Sequence, residues 1–161
     1  MRVPYQILVF PFVKEGNKYY YAIFKRKDLN VWQGIAGGGE EGEKPIDTAK
    51  REAYEEASID KRSRYIKLAS ISTIPVVNIC GLKWGKEIIM IPEFAFGVEL
   101  PSRKLKMGSE HTQCLWLSFK NAVNKLEWDS NKAALWELDY RLKKGSLDDI
   151  EKNARVIRRF L

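Results

Sequence analysis

Residues 37–59 read GGGEEGEKPIDTAKREAYEEASI, and this stretch decides how the rest of the chain is read. Glu52, Glu55 and Glu56 recur at spacings of three and four, which on a helix makes side chains neighbours; like charges placed so are destabilising. A divalent cation relieves the repulsion, and carboxylate oxygens are hard ligands suited to Mg²⁺, Mn²⁺ or Ca²⁺ rather than to zinc. Pro45 suits the first turn of such a helix, and Ile46, Ala49, Ala53 and Ala57 recur near the 3.6-residue period, a narrow stripe of mostly small residues that allows close packing on a sheet. Ahead of it, Gly37, Gly38 and Gly39 read as a flexible loop whose main-chain N–H groups can approach a phosphate. Arg51 lies among the acids as a planar, always-charged fork, and Glu43 is its expected mate. A merely solvated acidic face is the plainer reading of a charge run. It leaves Arg51, Glu43 and the glycines at their fixed offsets unexplained.

These residues resemble the signature of the Nudix hydrolases, G-x5-E-x7-R-E-U-x-E-E-x-G-U with U aliphatic. Gly37, Glu43, Arg51, Glu52, Glu55, Glu56 and Ile59 fall in register. Ala53 is a small stand-in for the aliphatic residue, and Ser58 replaces the glycine that turns the chain through a left-handed conformation after the helix. The resemblance implies an α/β/α sandwich with a mixed central sheet, Mg²⁺ or alternatively Mn²⁺ held by Glu52, Glu55 and Glu56, and hydrolysis of a diphosphate linkage. It places Glu110 opposite the helix as an extra metal ligand or base; a plain surface acid is the competing reading. Catalytic roles then fall to Arg51, Glu52, Glu55, Glu56 and Glu110.

Other motifs lie in the order seen in one Nudix subgroup, the dihydroneopterin triphosphate diphosphatases. They are Val31-Trp32-Gln33-Gly34, Gly42-Glu43, Glu110-His111 before Trp116-Leu117, and Trp128-Asp129-Ser130-Asn131 before an apolar helix. The substrate so implied is dihydroneopterin triphosphate or a (deoxy)nucleoside triphosphate, cut to a monophosphate and pyrophosphate. The alternatives are a Nudix module that senses a nucleotide without cutting it, and a hydrolase of ADP-ribose or capped RNA. Gly37, Gly38, Arg26 and Lys25 are the candidate substrate contacts. His111, the only histidine, reads as an exposed loop residue, while Trp32 and Trp84 are aromatic faces on which a flat ring could stack.

The chain of 161 residues is long enough for one continuous core, so residues 1–161 are expected to form a single domain. No apolar run approaches bilayer length and the N-terminus lacks a signal-peptide layout, from which a cytoplasmic location is expected. Cys80 and Cys114 lack metal-ligand spacing and read as reduced core residues. The net charge of +7 gathers in Arg103 to Lys106 and in the tail from Arg141 to Arg159. With no nucleic-acid motif beside it, this charge reads as a field for a small polyphosphate anion rather than a nucleic-acid footprint. The family resemblance also allows a homodimer.

Apolar runs at Tyr5 to Val13 and Tyr19 to Phe24, split by Glu15-Gly16-Asn17, predict a hairpin. Longer strands are expected over Tyr65 to Ile79 and Glu87 to Leu100, and a short one over Cys114 to Phe119. Helices are expected near Asn121, over Ser130 to Lys143, and over Leu147 to Leu161. Such an order fits a mixed sheet between helices.

Overall fold

A computed structural model of the chain describes residues 1–77, 81–145 and 150–160. The expected hairpin forms from β1 (Arg2–Glu15) and β2 (Lys18–Arg26), longer at both ends than the apolar runs alone indicate. Next come β3 (Trp32–Gln33), β4 (Ile35–Glu40) and α1 (Pro45–Ala57), then β5 (Tyr65–Pro75), β6 (Met90–Glu99) and β7 (His111–Leu117). Three helices complete the order: α2 (Phe119–Lys125), α3 (Asp129–Lys144) and α4 (Ile150–Arg158).

The sheet runs β3-β2-β1-β6-β5, with β4 also paired to β1 and β7 to β2. Only the β1–β6 pairing is parallel among these, which makes the sheet mixed as expected. Strand side chains alternate between faces, and β1 shows the result. Leu8, Phe10 and Phe12 join Ala134, Leu135 and Leu138 of α3 in one core, while Ile7, Val9 and Val13 meet Ala49, Ala53 and Ala57 of α1 in the other. The sheet therefore lies between α1 and the α2–α3 pair, and α4 lies along β5.

Several boundaries differ from expectation. The stretch 37–39 is strand rather than loop, and none of its three glycines has a positive φ. Pairing with β1 supplies a ladder that glycine-poor β propensity does not predict. What demands glycine is space: a Cβ on Gly37 would lie 2.0 Å from Cδ of Glu52, and one on Gly39 2.0 Å from the Tyr5 ring. β5 stops at Pro75, which has no N–H to continue a ladder. Ile79 and Cys80, together with residues 147–149 and 161 of the expected last helix, lie outside the described residues. Cys114 is a free thiol, half-buried, and burial pushes it up to about 11, consistent with an unreactive packing residue.

Between Lys67 and Ile71 the β5–β6 register slips. The N–H groups of Ala69 and Ser70, released by the bulge, donate to Oε1 and Oε2 of Glu137 on α3, each at 2.7 Å. Arg141 donates to the same carboxylate at 2.8 Å. Two residues further along α3, Asp139 accepts Tyr21 Oη at 2.7 Å and Lys143 Nζ at 2.8 Å, tying the helix to the centre of the sheet.

Candidate active site

The frame of α1 makes the site. Pro45 opens the helix, and Asp47 accepts from the Lys44 N–H at 3.3 Å, satisfying one of the donors a helix start leaves free. At the other end Ser58 takes the left-handed conformation, φ 53°, and its N–H reaches Tyr54 O at 2.9 Å while the Ile59 N–H reaches Ala53 O at 3.2 Å. Serine thus performs the glycine turn, and the register of the acids on α1 is undisturbed.

Arg51 meets Glu43 through two bonds, Nε to Oε1 at 2.7 Å and Nη2 to Oε2 at 3.0 Å. Its remaining donors reach Glu52 Oε1 at 2.7 Å, Glu55 Oε2 at 3.3 Å and the Gly38 carbonyl at 3.0 Å. Glu43 accepts further bonds from Thr48 Oγ1 at 2.7 Å and the Glu40 N–H at 3.0 Å, and Tyr5 Oη lies 2.7 Å from that Thr48 hydroxyl. The Arg51 fork, with Thr48 and Glu40, holds the Glu43 carboxyl down at about 2. Glu43 is thus the fixed anion of the site, and Arg51 distributes its charge over the rest.

Glu52 and Glu56 are buried, whereas Glu55 is exposed. Burial raises the Glu52 carboxyl against the pull of Arg51. For Glu56, burial and then the charges of Glu52 and Glu110 push the carboxyl up to about 9. Glu56 Oε2 has no hydrogen-bond partner, nor has His111 Nδ1, and the two face each other across 3.5 Å. Among the described residues no three such ligands converge as they would around an ion. Glu52 and Glu55 turn instead to Arg51. A buried carboxylate oxygen without a partner, beside a second buried carboxylate, is a donor set short of a cation, and it fits a hard divalent metal.

Glu110 is exposed, in the segment whose Gly108 N–H donates to the Glu56 carbonyl at 2.6 Å, so this segment closes over the end of α1. His111 is not the exposed loop residue expected from sequence. It opens β7, pairs in register with Arg26 and lies buried against the Phe24 ring, and burial pushes its imidazole down. The pairing that buries it lies 85 residues away in sequence by the numbering of Arg26 and His111, beyond local pattern.

A cavity of about 200 Å³ opens at the start of α3, among residues of β1, β2, β3, β4, β5 and β6. Gln6, Arg26, Gln33, Ala36, Glu93 and Trp128 are among its walls. Arg26 links the two regions: it lines the cavity, and its charge is felt by both Glu56 and His111. Asp28 also holds its guanidinium, through Nε at 2.8 Å. Lys25 is not brought to the cavity; its Nζ lies 6.0 Å over the Trp32 ring. Trp84 donates to the Arg2 carbonyl and Trp32 packs on the α3-side core, so neither expected ring lines the cavity. Trp128 does, and its indole N–H donates to Gln33 Oε1 at 3.0 Å. Asn131 Oδ1 accepts the Gly34 N–H at 2.9 Å. The start of α3 thus fastens β3 and β4 in place.

Gln6 and Glu93 drew no attention in the sequence, and no local signal marks them. Gln6 Nε2 donates to Glu93 Oε2 at 2.7 Å, and burial raises that carboxyl while Ser130 and Gln6 pull it down. Among the basic residues, Arg103 pairs with Glu15 through Nε at 2.8 Å and stacks 4.2 Å from the Tyr20 ring, so part of the positive cluster serves packing. Among the described residues no helix is long and apolar enough to cross a membrane.

Comparison with known proteins gives a consistent answer. The NUDIX domain model matches residues 8–137. A dihydroneopterin triphosphate diphosphatase of Haemophilus influenzae is 26% identical over 141 residues, covering 86% of this chain and 89% of that protein. Among solved structures, a Listeria monocytogenes chain assigned to the NUDIX hydrolases is 39% identical, with a TM-score of 0.79 over 89% of this chain and 97% of that one. The Escherichia coli dihydroneopterin triphosphate pyrophosphohydrolase is 24% identical and shares the fold, with a TM-score of 0.72 over 86% of this chain and 97% of its own.

Proposed function

The chain belongs to the Nudix hydrolase family, and from that premise we propose that it cleaves dihydroneopterin triphosphate or a (deoxy)nucleoside triphosphate to a monophosphate and pyrophosphate. The observation that carries the metal-dependent part of this reading is the buried, unpartnered Oε2 of Glu56 beside the buried Glu52. Mg²⁺, or Mn²⁺ in its place, held by Glu52, Glu55, Glu56 and Glu110, would polarise a phosphoryl oxygen and lower the pKa of water.

The chain's own residues prepare that chemistry. Arg51 orients Glu52 and Glu55 from a guanidinium that Glu43 and the Gly38 carbonyl hold in plane. His111 walls off one side of Glu56 from water. Arg26, which lines the cavity and whose charge reaches Glu56, would meet a phosphate. Gly37 gives Glu52 its room, and Gly38 offers its N–H: in a strand the N–H and C=O of one residue point the same way, and the Gly38 carbonyl already faces Arg51 on the edge away from β1. A proton acceptor for the attacking water is available from Glu55, Glu56 or Glu110.

The substrate reading follows the Haemophilus influenzae relative and the motifs shared with its subgroup. Its test is a panel of dihydroneopterin triphosphate, canonical and oxidised nucleoside triphosphates, ADP-ribose, dinucleoside polyphosphates and capped RNA, each with Mg²⁺. Hydrolysis in ¹⁸O-labelled water is expected to release pyrophosphate and place the label in the monophosphate, as attack at the α-phosphorus requires. Orthophosphate as first product, or a clear preference for ADP-ribose, would overturn the substrate reading and leave the family membership standing.

A further inference from the structure

Glu93 takes no part in the chemistry above, yet it is a carboxylate only 4% exposed on a cavity wall. Burying such a group is costly unless its oxygens are engaged. Gln6 engages it through Nε2, a group that can only donate. A carboxylate offers about four acceptor sites. One observed donor from the protein, Gln6 Nε2, leaves capacity for two more on the side that faces the cavity.

The other walls narrow the ligand. Trp128 is held by its bond to Gln33 and lines the same cavity as Glu93; Leu29, Ala36, Ile74 and Pro75 also line it. A volume of about 200 Å³ accommodates a fused bicyclic heterocycle and excludes a large polymer segment. Arg26 lines the cavity and its charge reaches Glu56, so the phosphates of a ring seated there would pass Arg26 on the way to the carboxylates.

Resting on the proposed function, we infer that Glu93, positioned by Gln6, is the specificity residue of this cavity and selects a 2-amino-4-oxo-pyrimidine ring, the edge common to guanine and pterins. Such an edge carries two adjacent donors, the ring N–H and the exocyclic amine, and a carboxylate accepts both side by side. Adenine and cytosine lack this pair, and hypoxanthine keeps the ring N–H without the amine. A site built to accept hydrogen bonds discriminates strongly against an analogue that leaves its acceptor empty.

Binding separates this inference from the hydrolytic reading, because it needs neither metal nor turnover. Isothermal titration calorimetry of the full chain in chelator, with dihydroneopterin monophosphate, dGMP, dIMP and dAMP, is expected to show the first two binding at least about 10-fold tighter than dIMP or dAMP, as a hydrogen bond to a charged acceptor implies. In Glu93→Gln the preference for dGMP over dIMP should collapse to within about twofold, since one acceptor oxygen becomes a donor. A difference between dihydroneopterin monophosphate and dGMP tells which source of the edge is preferred. Equal binding of dGMP and dIMP by the unaltered protein overturns the inference, whether or not the variant folds, and so does a folded Glu93→Gln that keeps the preference. The triphosphate panel failing while the dGMP preference stands would overturn the proposed reaction and uphold this site.

Discussion

On the α3 side of the sheet, Glu137 has both carboxylate oxygens taken by backbone N–H groups and a third bond from Arg141, while Asp139 is bonded by Tyr21 and Lys143. On the α1 side, Glu56 is as deeply buried as Asp139 and has an oxygen with no hydrogen-bond partner. Both clusters contain acids and an arginine on a helix, and the presence of those residue types alone would not tell them apart. Satisfaction does: the first closes a β-bulge and holds a helix to the sheet, whereas the second keeps acceptor capacity that the protein itself does not fill. Fully bonded networks rigidify, and a half-satisfied one is costly unless something else completes it.

The difference can be broken most severely at Glu56. Glu56→Gln keeps the shape and removes a charge, so turnover should fall by at least about 10²-fold with the circular dichroism spectrum unchanged; Glu52→Gln should behave alike. Near-normal turnover in either would remove the distinction between the two clusters. Glu137→Ala should do the reverse. It leaves two N–H groups of the bulge without acceptors and Arg141 without this partner, costing about 2–4 kcal/mol in denaturant unfolding, with Mg²⁺ affinity unchanged.

Arg51→Lys keeps the charge but loses the fork, so Glu43 stays paired while Glu52 and Glu55 lose their orientation. Metal affinity and turnover should both drop by about 10-fold or more, the scale for residues that orient ligands. A change confined to substrate KM would instead make Arg51 a substrate contact.

Titration sharpens the contrast within the α1 side. Glu43, held at about 2 against an ordinary 4.5, contributes stability that is complete above 4.5 and lost as pH falls through 2. Glu56, pushed to about 9, has the opposite sign: its contribution is complete below 4.5 and withdrawn as pH rises through 9. In chelator the unfolding midpoint should therefore decline between about pH 5 and 9, and Glu56→Gln should flatten that slope. A slope unchanged in the variant would place the titrating group elsewhere.

The smallest effect is expected at Ser58. A left-handed φ costs a non-glycine residue roughly 1–2 kcal/mol, so Ser58→Gly should stabilise the fold by about 1 kcal/mol, read from the denaturation midpoint, without altering turnover.

The stretch from Glu43 to Ile59 was legible because its interactions are local. Helical spacing sets the acids of α1 on one face, Arg51 reaches Glu43 over eight positions, and even the left-handed turn at Ser58 follows from the missing glycine. The hairpin and the apolar face of α3 were readable for the same reason, since periods of 2 and 3.6 report burial without knowledge of the partner. Long-range pairing decided the rest. The three glycines became a strand because β1 lies beside them and Glu52 and Tyr5 need the space. His111 was buried by its register with Arg26, and Lys25, one residue from Arg26, was turned away toward Trp32. Gln6 and Glu93 lie 87 positions apart, and neither has a pattern around it that foretells their bond. Sequence alone determined the family signature and the chemistry its charges allow, because those depend on residue type at short spacing. Which acceptors stay unfilled, and which ring the cavity can read, depends on distances between strands far apart in the chain, and only folding sets those.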